Sequence, residues 1–429
     1  MTTTDPPVVS AFTRRYAMVV LAVVYMFNFV DRQILSILLP AIRDEFQVGD
    51  TVLGLLAGTA FAMFYVAMGI PIARIADRVN RRNLIAAALA LWSGMTALSG
   101  FAANIWHLTL ARIGVGIGEA GCSPPAHSII ADLYPPDRRS AAMGFYTLGI
   151  SAGIMLAYLA GGWVVQNIGW REAFLIVGIP GLFLAVIVRF TLIEPVRGAS
   201  ESRTDSGEQP GLITVLRFLA ARRSFLYMAV AAGFTSFVGY AIVNFIPSFI
   251  VRSFEIQVAS LGLWLGLIYG IAGGIGFFMG GYLADRIGRT GHGRALRFIC
   301  AAMLVTVAFN AAVFLSTSVT MCLALLVLPS ITSNVYLAPV LSQTQSLVSL
   351  RMRSMASAIV LLVINVIGLA FGPPLTGLIS DILQQPFGDD SMRYALLIVS
   401  TVMLPVAAWC YFQAGRSIGS DLERANEQD

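Results

Sequence analysis

The sequence predicts an all-α membrane protein: twelve transmembrane helices in two six-helix bundles related by pseudo-two-fold symmetry. Three observations predict it. The 429 residues are 57% hydrophobic and only 12% charged, about half the ~25% charge of an ordinary soluble domain. The apolar residues fall in runs of membrane-crossing length, about 20 residues for a helix. One charged loop pattern occurs twice, half a chain apart.

Taken in order, the runs of the first half cover roughly 16–40, 51–73, 84–103, 106–133, 140–165 and 172–193. Those of the second cover roughly 224–250, 258–283, 297–316, 319–348, 354–380 and 394–414. The first run is too long for the apolar region of a secretion signal and contains Asp31 and Arg32, so it is read as a span. The bundles are bounded at 14–195 and 223–415, joined by a linker over 196–222 and followed by a polar tail over 416–429. The linker contains GASESRTDSGEQPG, a solvated stretch. After it Leu212 to Leu219 has apolar residues at helical spacing beside Arg217, Arg222 and Arg223, the pattern of a short interfacial helix.

Loop charges set the orientation. One side carries Arg74, Arg78, Arg81, Arg82, Arg138, Arg139, Arg286, Arg289, Arg294, Arg297, Arg351 and Arg353; the other has only Arg43, Arg171, Arg252 and Arg393. The positive-inside rule puts the Arg-rich side, and both termini, in the cytoplasm. All 28 basic residues are Arg, a usage that suits a GC-rich bacterial genome and an inner-membrane location. They are dispersed among loops, so nucleic acid is not an expected partner. Three scattered His and four separated Cys offer no metal-ligand spacing. No nucleophile with its base, no phosphate-binding Gly-rich loop and no cofactor motif is apparent, which argues against an enzyme and against ATP as direct energy source.

The repeated loop reads Ala73-Arg-Ile-Ala-Asp77-Arg78-Val-Asn80-Arg81-Arg82 after the second span and Gly281-Tyr-Leu-Ala-Asp285-Arg286-Ile-Gly288-Arg289 after the eighth, the two Asp lying 208 residues apart. These residues resemble the signature loop of the major facilitator superfamily, with Ala73 and Asn80 departing from Gly in the first copy. Asn28-Phe-Val-Asp31-Arg32, Asp77-Arg-Val-Asn80-Arg, Arg112-Ile-Gly-Val-Gly116-Ile-Gly118-Glu119 and Asp132-Leu-Tyr resemble the Spinster family of lipid transporters, in which Asn at the position of Asn80 is expected. The resemblance implies the major facilitator fold, alternating access by rocking of the two halves, and a lysolipid or sphingoid-type substrate exchanged against protons. A drug or small-metabolite efflux pump is the alternative within the same class.

Four charges lie deep in the first half's spans: Asp31 and Arg32 in span one, Arg112 and Glu119 in span four. A charge at mid-bilayer costs about 2.5–3.5 kcal/mol by insertion scales, so these groups are expected to face a cavity or each other. Asn28 and Tyr25 extend the face of Asp31 and Arg32. Spans one and four both line the central cavity in the implied fold. There Asp31 or Glu119 would bind and release protons, while Arg32 or Arg112 would pair with them or grip an anionic head group. His127 in span four is a further cavity candidate, one turn or so from Asp132.

The second half offers uncharged candidates, Tyr240, Asn244, Asn334, Gln343 and Asn365, among many Phe, Met and Leu. An amphipathic substrate would place its polar head toward the first half and its apolar part toward the second. Asp77 and Asp285 sit at cytoplasmic helix ends where a carboxylate meets a neighbouring helix N-terminus. Arg78, Arg81, Arg82, Arg286 and Arg289 are expected to pair with acids across the two halves and latch one conformation. Gly372-Pro373-Pro374 marks a helix break in span eleven. The chain is expected to act as a monomer among membrane lipids.

Overall fold

A computed structural model describes residues 10–76, 78–197, 212–288, 291–349 and 352–426. Asp77, Arg289, Arg351 and most of the linker, 198–211, lie outside the described residues, as does the side chain of Asp285.

All described secondary structure is helical. The first half contains α1 (Ala11–Phe46), α2 (Asp50–Gly54), a π-turn (Leu55–Thr59), α3 (Ala60–Ala76), α4 (Arg81–Ser99), α5 (Ile105–Glu119), α6 (Ser123–Leu133), α7 (Pro136–Asn167) and α8 (Trp170–Thr191). A short α9 (Leu212–Ala220) follows, with Val215 and Leu219 buried. The second half contains α10 (Arg223–Phe254), α11 (Val258–Leu267), a π-turn (Ile268–Ala272), α12 (Gly273–Gly288), α13 (His292–Phe314), α14 (Val319–Thr332), α15 (Leu337–Ser346) and α16 (Arg353–Val363). A third π-turn (Ile364–Ala370), α17 (Gly372–Phe387), a 3₁₀ turn (Gly388–Asp390) and α18 (Ser391–Asn426) complete it.

Among the described residues, nine helical segments are long and apolar enough to cross a membrane. The fourth expected span falls short because it is two helices: the chain turns at Ala120–Cys122, just after Glu119. The tenth span, Val319–Ser346, is one of the nine although its helix is interrupted at Ser333–Tyr336, and the eleventh restarts at Gly372 with Pro373 and Pro374 in its first turn, where a missing N–H is tolerated. Helix α8 shows why these helices need lipid. It buries Phe174, Val177, Gly181, Leu184 and Val188 in the protein, yet exposes Ile179, Phe183, Val186 and Phe190 at helical spacing on its outer side. A helix apolar all round has no face for water.

The helices form two compact units, residues 1–41 with 60–206, and 42–59 with 207–429. In the first, α4 packs on α5 and α8, and α3 on α5, around Leu35, Leu89, Trp92, Val115 and Tyr158. In the second, α10 and α13 pack on α18, around Phe245, Phe249, Met303, Phe314 and Tyr411. The segment expected as a polar tail, 416–429, continues α18 as far as Asn426 and buries Ile418 and Asp421. The reason is a specific partner. Asp421 accepts hydrogen bonds from the Ser224 backbone N–H at 2.8 Å and hydroxyl at 2.7 Å, capping the open N-terminus of α10.

Candidate functional site: a buried charge cluster in the first unit

Helix α1 carries Asn28, Asp31 and Arg32 on consecutive turns, and α5 carries Arg112 and Glu119. The structure brings all five together, with Asn28, Asp31, Arg112 and Glu119 buried. The Arg32 Nε donates to Glu119 Oε2 at 2.5 Å. An Arg112 Nη donates at 3.2 Å to the backbone carbonyl of Asp31, not to its carboxylate. The two acids therefore differ. Glu119 has a charge-assisted bond to a guanidinium; neither oxygen of the Asp31 carboxylate has a hydrogen-bond partner. The Thr96 hydroxyl and Trp92 indole lie beside Asp31 without ordinary hydrogen-bond geometry.

The cations rest on aromatic faces that sequence reasoning missed. The Arg32 guanidinium carbon lies 4.6 Å from the ring centre of Tyr65, 4.8 Å from Phe61 and 5.3 Å from Phe29; that of Arg112 lies 5.4 Å from Phe61. Such contacts stabilise a desolvated cation by up to about 2 kcal/mol. Phe61 reaches both because α3 approaches α5 at Gly116, where a Cβ would stand 2.5 Å from the Phe61 carbonyl oxygen. The i, i+4 spacing of Phe61 and Tyr65 was the signal available in the sequence.

Tyr25 stacks on the buried Tyr146 of α7 at 4.2 Å between ring centres, and His127 meets Tyr146 edge-on at 5.4 Å. His127 thus belongs with an aromatic pair rather than with Asp132. The carboxylate of Asp132 pairs with Arg81. Arg81 also donates to Glu194 at 2.7 Å, to Ser128 at 2.8 Å and to the Pro195 carbonyl at 2.8 Å. The expectation that this Arg pairs across the two halves is corrected: it is buried inside the first unit, tying α4 to α6 and to the segment after α8. Asn80 has its own reason. Its side chain caps α4 by accepting from the Asn83 N–H at 3.0 Å, which a Gly cannot do. Arg78 and Arg286 are exposed, and the Arg82 N–H donates to Glu194 at 2.9 Å.

In the second unit the candidates are distributed over α10, the α14–α15 break, α15 and the third π-turn. The amide nitrogens of Asn244, Asn334 and Asn365 each donate at 2.8 Å to a carbonyl one turn back, from Tyr240, Ser330 and Leu361 respectively. Tyr240 neighbours the buried Tyr336, and Gln343 is buried in α15. Between α11, the adjoining π-turn and α14 lies a half-open apolar groove of about 850 Å³, with Leu261, Ile268, Leu323 and the exposed Trp264 and Val327 in its wall and Gln257, Ser260 and Thr320 as its polar lining. No group of His, Cys, Asp and Glu suited to a metal occurs among the described residues.

Helices apolar on their outer faces, around charges enclosed within a bundle, define a polytopic membrane protein of the transporter class. The chain belongs to the major facilitator superfamily, whose family model matches residues 21–366 and whose architecture is twelve spans. It is similar to a Mycolicibacterium smegmatis MFS-type efflux pump, 33% identical over 405 residues, 94% of this chain and 93% of the relative. It is 27% identical over 421 residues to the Danio rerio sphingosine-1-phosphate transporter SPNS2, covering 88% of this chain and 79% of the relative. Among solved structures it matches a bacterial homolog of the human lysosomal transporter Spinster in an inward-facing, unoccupied conformation. That match has a TM-score of 0.86 and 30% identity, and covers 96% of this chain and 99% of the other. Within the superfamily the chain is Spinster-like.

Proposed function

We propose that this transporter exports or exchanges an amphipathic lysolipid or sphingoid-type lipid by alternating access, driven by protons, in a bacterial inner membrane. The observation that carries the coupling is the inequality of the two acids. Glu119 has its cation in Arg32, whereas Asp31 is buried without a hydrogen-bond partner. Burying an unpaired charge is costly, so Asp31 is the group whose charge must change or find a partner during the cycle. Glu119, Arg32 and Arg112 then set the field in which it does so. Arg112, with its Nε unpartnered in the interior, is the cation open to an anionic head group. The half-open apolar groove of the second unit suits a hydrocarbon chain.

Both termini are assigned to the cytoplasm by the Arg bias, and the protein to a monomer. Asp77, Asp285 and the loop Arg residues other than Arg81 are assigned to gating. Kinship with an efflux pump supports a second reading, proton-driven export of a drug or metabolite. Proteoliposomes loaded with fluorescent lysolipid or cationic dye, under an imposed pH gradient, separate the two. Lipid movement abolished by Asp31→Asn is expected; dye movement without lipid movement would replace the lipid reading.

A further inference from the structure

Residues 42–59, the tip of the first helical hairpin, belong to the second compact unit, although the rest of α1 and all of α3 are counted in the first. A carboxylate hub holds the tip there. The buried Asp50 carboxylate receives both terminal nitrogens of Arg252, at 2.7 and 2.5 Å, and the Ser380 hydroxyl at 2.7 Å; Arg43 stands 3.7 Å away. Helix α2 starts after Gly49 with no cap of its own. Asp381 on α17 supplies one, accepting from the N–H groups of Asp50 and Thr51 at 2.8 and 2.9 Å and from the Thr51 hydroxyl at 2.6 Å. A Cβ on Gly49 would lie 2.8 Å from that carboxylate. One turn further, Gly54 abuts the Pro373–Pro374 backbone, and the Thr59 hydroxyl donates to the Ala370 carbonyl at 2.6 Å.

Two features mark this seam. It is closed by polar bonds at one end, and along its length Gly54 and Gly58 let the facing backbones meet beside the buried Leu53 and Leu56. Each facing helix also carries a π-turn, Leu55–Thr59 against Ile364–Ala370, a deviation that recurs where helices must adjust. The seam lies toward the Arg-poor loops, the side the charge bias places outside.

We propose that Asp50, Arg252 and Asp381 are positioning residues for transport: a releasable latch that moors the hairpin tip to α10 and α17 in one state of the cycle and frees it in another. This assignment concerns gating and is independent of the substrate.

The test uses the full chain with Cys122, Cys300, Cys322 and Cys410 replaced by Ser, and one reporter, Ala57→Cys, at a buried position of the tip. The protein is reconstituted in liposomes without substrate, and the rate of modification by a membrane-impermeant maleimide is measured. Asp50→Asn and Arg252→Ala are each expected to raise that rate at least tenfold, and the exchanged pair Asp50→Arg with Arg252→Asp to return it toward the parent. A variant that does not elute as a folded monomer is replaced by Arg252→Lys, which keeps the charge but loses the two-nitrogen grip and is expected to raise the rate at least threefold. Parental rates in the single variants, or an exchanged pair no slower than they are, would overturn the latch. Because no substrate is present, that failure leaves the lipid reading untouched, and failure of lipid flux leaves the latch untouched.

Discussion

Glu119 and Asp31 share one cluster yet stand in different company, and their removal should be felt differently. Taking the acid from a buried pair strands its partner, at roughly 3–5 kcal/mol. The Arg32 side chain is 15% exposed, so water relieves part of that, and Glu119→Gln is expected to destabilise toward the lower end of the range. Asp31→Asn removes a charge that no hydrogen bond supports, and is expected to leave stability unchanged or raise it, since an unpaired buried charge is costly. Thermal melts in detergent compare the two; equal losses would show that Asp31 has a partner of its own. Both acids and both cations were legible in the sequence because a charge within an apolar run is conspicuous. Which cation meets which acid was not, since the Arg32–Glu119 bond joins residues 87 apart in the chain.

At the scale of elements, a recurring device is the helix N-terminus satisfied by a carboxylate from elsewhere. Asp381 serves α2, Asp421 serves α10, and Glu194 joins Asn80 at the start of α4. First-turn N–H groups of a helix have no partner in their own helix, so each such bond fixes one helix against another as well as capping it. Arg81 extends the last of these. Its guanidinium uses three nitrogens on four acceptors, an arrangement an ammonium cannot copy. Arg81→Lys is therefore expected to lower the melting temperature nearly as far as Arg81→Ala, and a melt close to that of the parent would refute the fork. Helix periodicity and span order were readable from the apolar runs. The breaks at Ala120–Cys122 and Ser333–Tyr336 were not placed, because Gly-rich stretches in spans serve tight packing as readily as interruption.

For the molecule as a whole, coupling is a statement about energy flow and is tested as one. With proton drive through Asp31, collapsing an imposed pH gradient with a protonophore should slow substrate movement in the parent and leave any residual flux of Asp31→Asn unchanged. Equal sensitivity in both proteins would move the coupling site elsewhere. The expected contrast between a charged first half and an uncharged second is also sharpened. The second unit does bury charge, in Asp50 with Arg252 and in Asp421, but at helix ends rather than beside a membrane-depth cluster.

The sequence by itself determined the membrane class, the helical spans, the repeated scaffold and the residues of the charge cluster, because composition, period and short motifs are local properties of the chain. Only the tertiary structure decided the partners: Arg32 with Glu119, Arg81 inside its own unit, Phe61 and Tyr65 beneath the guanidinium groups, and the tip 42–59 counted with the second unit. A charge in hydrocarbon must find a partner wherever the fold brings one within reach, and that reach is set by helix packing, to which residue order along the chain gives no direct measure.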